Sequence, residues 1–332
     1  MSGPTTSAPA GVTVGVALAE VTRRDEITGD EVVESIHLGH AVLTGAGGTV
    51  LAAVGEPERP IYVRSAAKPF QARACLDVLA DDHALTPAEL AVGWASHRGE
   101  PAHLEAVRSL LARSGTAPDD LTTPPATPQA TPADEPSRLG HNCSGKHALF
   151  ALAGQRLGVP RERLLDRDAP LQRRVLDRLA ADLGPLAAVA VDGCGAPAVA
   201  VALTGLAHGF ARAAGAEEYR TIREAGFAHP GLVGGEGRLE SALLGAGVVA
   251  KVGAEGVYGI GWIAPDGDPR GFAVKATDGS TRGVAAFAFA LLVALEVVPP
   301  DIWTPETPLG GGRPVGAVRP TGALEVLASG AH

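Results

Sequence analysis

Four lysines stand against 24 arginines in this chain, and three of the four lie in short motifs. Lys68 closes Arg64-Ser65-Ala66-Ala67-Lys68. Lys146 lies in Asn142-Cys143-Ser144-Gly145-Lys146-His147. Lys275 opens Lys275-Ala276-Thr277-Asp278-Gly279. Arginine keeps its proton under nearly all conditions, whereas burial can lower a lysine pKa until the amine works as a base or a ligand. An arginine-rich composition would leave few lysines anyway; their placement in motifs is what points to proton transfer or coordination.

Ser65-x-x-Lys68 is the first constellation. If Ser65 opens a helix, the i, i+3 spacing puts both side chains on one face, where a neutral Lys68 could take the serine proton. The plain alternative is a capping serine followed by a solvated lysine. Cys143-x-x-Lys146 with Cys194 is the second. Two thiolates and a nitrogen can hold a zinc ion, with His141 and His147 as alternative nitrogen donors. The plain alternative is a pair of buried structural cysteines. The third is Ser96-His97. Neighbours on a helix do not face each other, so Ser96 needs a base from elsewhere, and Lys275 is one candidate. Asp192, in the turn Asp192-Gly193-Cys194-Gly195, could bind a substrate ammonium or simply satisfy turn N–H groups.

The elements that must position these residues can be read coarsely. Val12–Val21, Val32–Leu43 and Thr49–Val54 read as an antiparallel meander, and Ile61–Val63 as a short strand before a helix over Ser65–Leu79. Helical spacing follows at Pro87–Trp94, Ala102–Ser114, Cys143–Leu157, Pro170–Leu183, Val199–Ala214, Glu217–Ala225, Arg238–Leu244 and Thr281–Leu295. Strands are predicted at Leu186–Val191, Val248–Val252, Gly256–Ile263 and Gly271–Ala276. Strands from both ends of the chain are expected to share one sheet, with the helical middle inserted. The expected organisation is a disordered tail over 1–11, one domain over 12–330, and a Pro/Thr-rich loop over 116–136 that is either an inert insertion or a lid.

Composition narrows the function classes. The chain has 332 residues, 45% hydrophobic, enough for one large core. Its net charge of −9 and lack of a basic run argue against nucleic acid and anionic membranes as partners. The apolar stretch Gly283–Val298 is short for a membrane span and suits a buried helix. Three cysteines and no secretory signal suit a reducing cytoplasm.

Together these segments resemble the asparaginase II family, the rhizobial type with paired serine–lysine tandems. The matching pieces are Arg64-Ser65-Ala66-Ala67-Lys68, Ala95-Ser96-His97, His141 to His147, Asp192 to Gly195, Val233-Gly234-Gly235, Gly253 to Tyr258, and Lys275 before Asp278-Gly279. The resemblance implies an α/β (α+β) fold like that of serine β-lactamases, a mainly antiparallel sheet flanked by helices with a helical insertion. It implies hydrolysis of L-asparagine to L-aspartate and ammonia by a homodimer. Ser65 and Lys68 match one tandem, Ser96 and Lys275 the other. Cys143, Lys146 and Cys194 match a zinc site. Asp192 matches a substrate contact, and Arg64, His97 and His147 are taken as further substrate-binding residues. The chain departs from the pattern at Gly259, where some members carry cysteine, at Arg98, and in the proline content of the 116–136 loop. Two rivals remain: a penicillin-recognising serine acylase, which shares S-x-x-K but usually adds a K-T-G element that Lys275-Ala276-Thr277 does not match, and a catalytically silent amino-acid-binding protein.

Overall fold

The structure is a computed structural model that describes residues 14–79 and 85–330, so the expected tail over 1–11 lies outside the described residues. Val16–Arg24 (β1), Glu31–Thr44 (β2) and Val50–Val54 (β3) form the expected antiparallel meander. β2 is long enough to serve two partners along one edge: its first part pairs with β1 and its last residues with β3. Pro60–Tyr62 (β4) then leads through a tight turn at Arg64–Ala67 into Lys68–Leu79 (α1). The helical middle is Pro87–Gly93 (α2), Pro101–Ser114 (α3), Ser144–Arg156 (α4) and Pro170–Leu183 (α5). Three of these four helices begin on a proline, which suits a first turn whose N–H groups lack intrahelical partners.

Ala188–Val191 (β5) and Pro197–Ala202 (β6) follow, then Leu203–Gly215 (α6), Arg220–Ala228 (α7), Pro230–Gly234 (α8) and Leu239–Gly245 (α9). The chain returns to strand at Val249–Gly253 (β7), Val257–Ile263 (β8) and Pro269–Ala276 (β9), and then forms Thr281–Ala294 (α10). Leu309–Gly310 (β10), Arg313–Pro314 (β11), Gly316–Pro320 (β12) and Ala323–Ser329 (α11) end it. The helix expected over Val199–Ala214 is therefore two elements. Its first residues alternate Ala and Val and pair with β5, so period-2 packing overrides the helical propensity of alanine there.

The main sheet runs β12-β1-β2-β9-β8-β7, all antiparallel, with β3 also on β2. Strands from both chain ends thus share one sheet. Its two faces are buried differently. Ala41, Leu43, Ile260, Phe272 and Val274 pack against Phe287 and Leu291 of α10. Val42, Val257 and Ala273 point the other way, into the helical core with Phe70 and Phe210. On that second face α6 lies directly on the backbone. A Cβ at Gly271 would stand 1.9 Å from the Ala207 carbonyl oxygen, and one at Gly261 2.0 Å from that of Phe210. A smaller sheet, β4-β6-β5, packs against α5 and α6 and carries the Asp192 turn between β5 and β6.

Candidate functional site

The Ser65 turn is held from two sides. Arg64 has a left-handed backbone, φ 50°, which costs a non-glycine residue energy. Its guanidinium Nε bonds the Asp192 carboxylate at 2.6 Å, tying the turn to the β5–β6 hairpin. On the other side, β7 presses in: a Cβ at Gly253 would lie 2.5 Å from the Val63 carbonyl oxygen and 3.3 Å from the Ala66 nitrogen. Ser65 and Lys68 line one small cavity with Arg64, Gln71, Lys146 and Asp192. Lys68 is 1% exposed, and its ammonium donates to the Ala95 carbonyl and, at 3.0 Å, to Ser96 Oγ. The lysine in hydrogen-bond contact with Ser96 is thus Lys68, which links the two serine motifs.

Ser96 sits just beyond α2, where its N–H donates to the Val233 carbonyl at 3.0 Å. His97 points away from Ser96 into the protein. Its Nδ1 accepts the Gly99 N–H at 3.1 Å, so Nε2 carries the proton and donates to Ser144 Oγ at 2.8 Å. Burial, with His103 and Lys68 nearby, holds its pKa well below the ordinary 6.5. His97 is a neutral tether between the Ser96 loop and the first turn of α4.

The cysteine motif faces the same cavity. One sulfur each from Cys143 and Cys194 and one Asp192 carboxylate oxygen lie within 4.8 Å of one another. Lys146 Nζ stands 3.1 Å from Cys194 Sγ. Hydrogen bonding from Cys194, with Lys68 and Lys146 beside it, holds the Cys143 thiol well below its ordinary pKa, and the same bond pushes Cys194 up. Burial works against charge on Lys146, but the two sulfurs and Asp192 outweigh it, so its ammonium is favoured. Asp192 resists burial likewise: Arg64 and Lys146 keep it ionised. His147 is fully buried and its pKa falls to about 4. Its Nδ1 bonds Thr122 Oγ1 at 2.6 Å, and its Nε2 has no hydrogen-bond partner. Two soft sulfurs with oxygen and nitrogen donors at this spacing are able to close on a tetrahedral ion, whose ligand atoms stand about 3–4 Å apart.

Lys275 lies elsewhere. Its ammonium donates to the Glu255 carbonyl at 2.6 Å and to that of Ala276. It lines a neighbouring outer pocket with Tyr62, Val191 and Glu255, joined to the inner cavity through Arg64 and Ala198. Partial burial lowers its pKa. The fourth lysine, Lys251, has no motif and is not singled out by the sequence reading. It is 0% exposed, ion-paired to Glu240 at 2.6 Å, and near enough to Lys68 and Cys143 to feel both charges. The available signal was a lysine at an inward-facing position of the apolar strand Val248–Val252.

The 116–136 loop does not line the cavity of Ser65. Thr116, Asp120, Leu121 and Thr122 wall a separate cavity behind His147. Gly259 faces Phe210: a Cβ would lie 2.0 Å from its ring. Among the described residues no helix is long and apolar enough to cross a membrane.

A serine and a buried lysine in one polar cavity, beside two ionisable thiols, define a candidate acyl-transfer or amide-hydrolysing site. A sequence model described as L-asparaginase II matches residues 25–320, and the chain belongs to that family. Membership makes L-asparaginase, an amidohydrolase acting on a small-molecule substrate, the general activity of its kind. No curated protein matches the chain significantly.

Proposed function

We propose that the chain hydrolyses L-asparagine to L-aspartate and ammonia through a serine nucleophile. The observation that carries this reading is the cavity where Ser65 and Lys68 meet Arg64, Lys146 and Asp192. Ser65 Oγ attacks the side-chain carboxamide carbon. Lys68, in its neutral form, takes the serine proton and returns it to the leaving nitrogen, so ammonia departs and an aspartyl ester remains. Water then hydrolyses the ester. Ser96, hydrogen-bonded to Lys68, relays protons. Lys251, ion-paired to Glu240, supplies a further buried amine near Lys68, while Lys275 contributes positive charge at the outer pocket. Asp192 takes the substrate ammonium and Arg64 its carboxylate. His147 supports the cysteine cluster from the side away from the Ser65 cavity, and His97 fixes the Ser96 loop.

Cys143, Lys146 and Cys194, with Asp192 adjoining, are the residues that would hold a zinc ion. Zinc there would supply Lewis-acid polarisation and order the cavity. Further parts of this reading are a serine β-lactamase-like architecture, supported by the S-x-x-K turn opening α1 beneath an antiparallel sheet, together with a homodimeric state and a cytoplasmic setting.

Ammonia release from L-asparagine and L-glutamine tests the reading. Wild type should release ammonia from asparagine, and folded Ser65→Ala should lose that activity by orders of magnitude. Near-native turnover in folded Ser65→Ala would sink the nucleophile. Asparagine binding without ammonia release would favour a silent binding protein, and turnover of nitrocefin a penicillin-recognising acylase.

A further inference from the structure

We propose that Glu240 is a positioning residue for this reaction, acting through Lys251 and through the two backbone segments that carry Ser65 and Ser96. The inference rests on the serine–lysine reading above. Glu240 lies in the first turn of α9 and is 2% exposed. Its Oε1 stands 2.6 Å from Lys251 Nζ, which also donates to the Val252 carbonyl at 3.3 Å. Removing two charges from water costs several kcal/mol per ion, and well-packed apolar residues often serve stability as well as a buried pair does. Stability alone therefore does not explain a fully buried glutamate–lysine pair beside the site.

Its location offers the explanation. Lys251 is the β-ladder partner of Gly259, and Gly259 faces Phe210 on the helical side of the sheet. Two residues on, Gly253 abuts the backbone of the Ser65 turn. At the other end of the pair, Gly234 makes room for the glutamate: a Cβ there would lie 2.4 Å from Glu240 Cγ. Ser241 Oγ donates to the Gly235 carbonyl at 2.7 Å and the Pro230 carbonyl at 3.1 Å, fixing α9 to the segment 230–235. Within that segment the Val233 carbonyl accepts the Ser96 N–H. The pair thus spans the supports of both serines. Burial works against the charge on Lys251 and Glu240 supports it, with the charges of Lys68 and Cys143 close enough to be felt; Glu240 and Arg238 in turn act on Tyr258 of β8. With Glu240 in place, the Lys251 ammonium stays beside Lys68, and the Ser65–Lys68–Ser96 spacing is held.

The experiment is steady-state ammonia release by Glu240→Gln, which keeps the shape and loses the charge. Near-UV circular dichroism checks the fold. The expected result is a kcat at least ten-fold below wild type with KM within two-fold. A purely structural role would instead lower the urea midpoint and leave kcat unchanged in the folded fraction. Glu240→Asp, which keeps the charge but withdraws it by one methylene, is the second variant should glutamine prevent folding; a lowered kcat is expected there too. Unchanged kcat in either folded variant, or a change in KM alone, overturns the proposal. Ser65→Ala is run alongside. If it still hydrolyses asparagine, the serine reading fails; if it is inactive while Glu240→Gln is normal, only the role of Glu240 fails.

Discussion

Lys68 and Lys275 carry the same charge in different surroundings, and arginine at each position separates their roles. Lys68 is sealed against Ser96 and the Ala95 carbonyl, where only an amine that can lose its proton serves as a base. Lys68→Arg should therefore lose about 100-fold or more in kcat, the usual scale of general-base loss. Lys275→Arg keeps the positive charge that the outer pocket uses and should stay within about ten-fold, since the arginine remains protonated there. Ammonia-release kinetics on both variants decide this; comparable losses at the two sites would return Lys275 to a proton-transfer role. The cysteine cluster gives a separate outcome. In the metal-free protein Lys146 is an ammonium and Cys194 a thiol, so zinc must displace protons from both to use them. Calorimetric titration with zinc in buffers of different ionisation enthalpy should show proton release, and affinity should drop as pH falls. The Cys143→Ser, Cys194→Ser double variant should not retain zinc by elemental analysis; stoichiometric zinc in that variant would put the metal elsewhere. At this scale the motifs made Ser65, Lys68, Cys143 and Cys194 legible. Lys251 was not, because its partner Glu240 is eleven positions away and only the fold brings the charges together.

Elements place those residues through close backbone approach. α6 rests on β8 and β9 at glycines, and this sets the depth at which the sheet meets α1 and the cavity above it. Gly271→Ala forces a methyl to within 1.9 Å of the Ala207 carbonyl oxygen, a backbone atom that cannot swing aside. Overpacking of this kind typically costs about 1–3 kcal/mol. Chemical denaturation should report a loss in that range or larger, and a midpoint equal to wild type would mean α6 is not seated where described. The strands β7, β8 and β9 were legible from their apolar runs, and α10 from a stretch too short to span a bilayer. β6 was not: Pro197–Ala202 is alanine-rich and followed directly by a helix, so its strand character comes from pairing with β4 and β5 on both edges. Nor was β12, whose partner β1 lies at the opposite end of the chain.

The whole molecule stores neutral histidines around the site, and that gives it an acid limit. His97, His103, His141 and His147 are all held below the ordinary 6.5, in each case first by burial. Unfolding exposes them to water, where they take up protons as pH falls below about 6.5. The folded chain does not match that uptake until much lower pH, so the unfolded state binds more protons and stability falls with decreasing pH. Each such histidine contributes about 1.4 kcal/mol per pH unit across its own window. For His147, whose window runs from 6.5 down to about 4, the loss is roughly 3 kcal/mol. The ion-paired carboxylates Asp77, Glu89, Asp192 and Asp278 also have lowered pKa values, despite burial, and their stability is lost only below ordinary values of 3.8 for Asp and 4.5 for Glu. Between pH 6.5 and 4.5 the histidines therefore pull stability down as pH falls, while Asp182, raised by burial, pulls the other way. Urea midpoints of metal-free protein should fall steadily from pH 7 to pH 5, with m-values unchanged. His147→Gln should reduce that slope if it folds, because glutamine does not titrate. A flat midpoint across this range would show that the buried imidazoles are already protonated in the native state, and the neutral His97 tether between Ser96 and α4 would have to be abandoned.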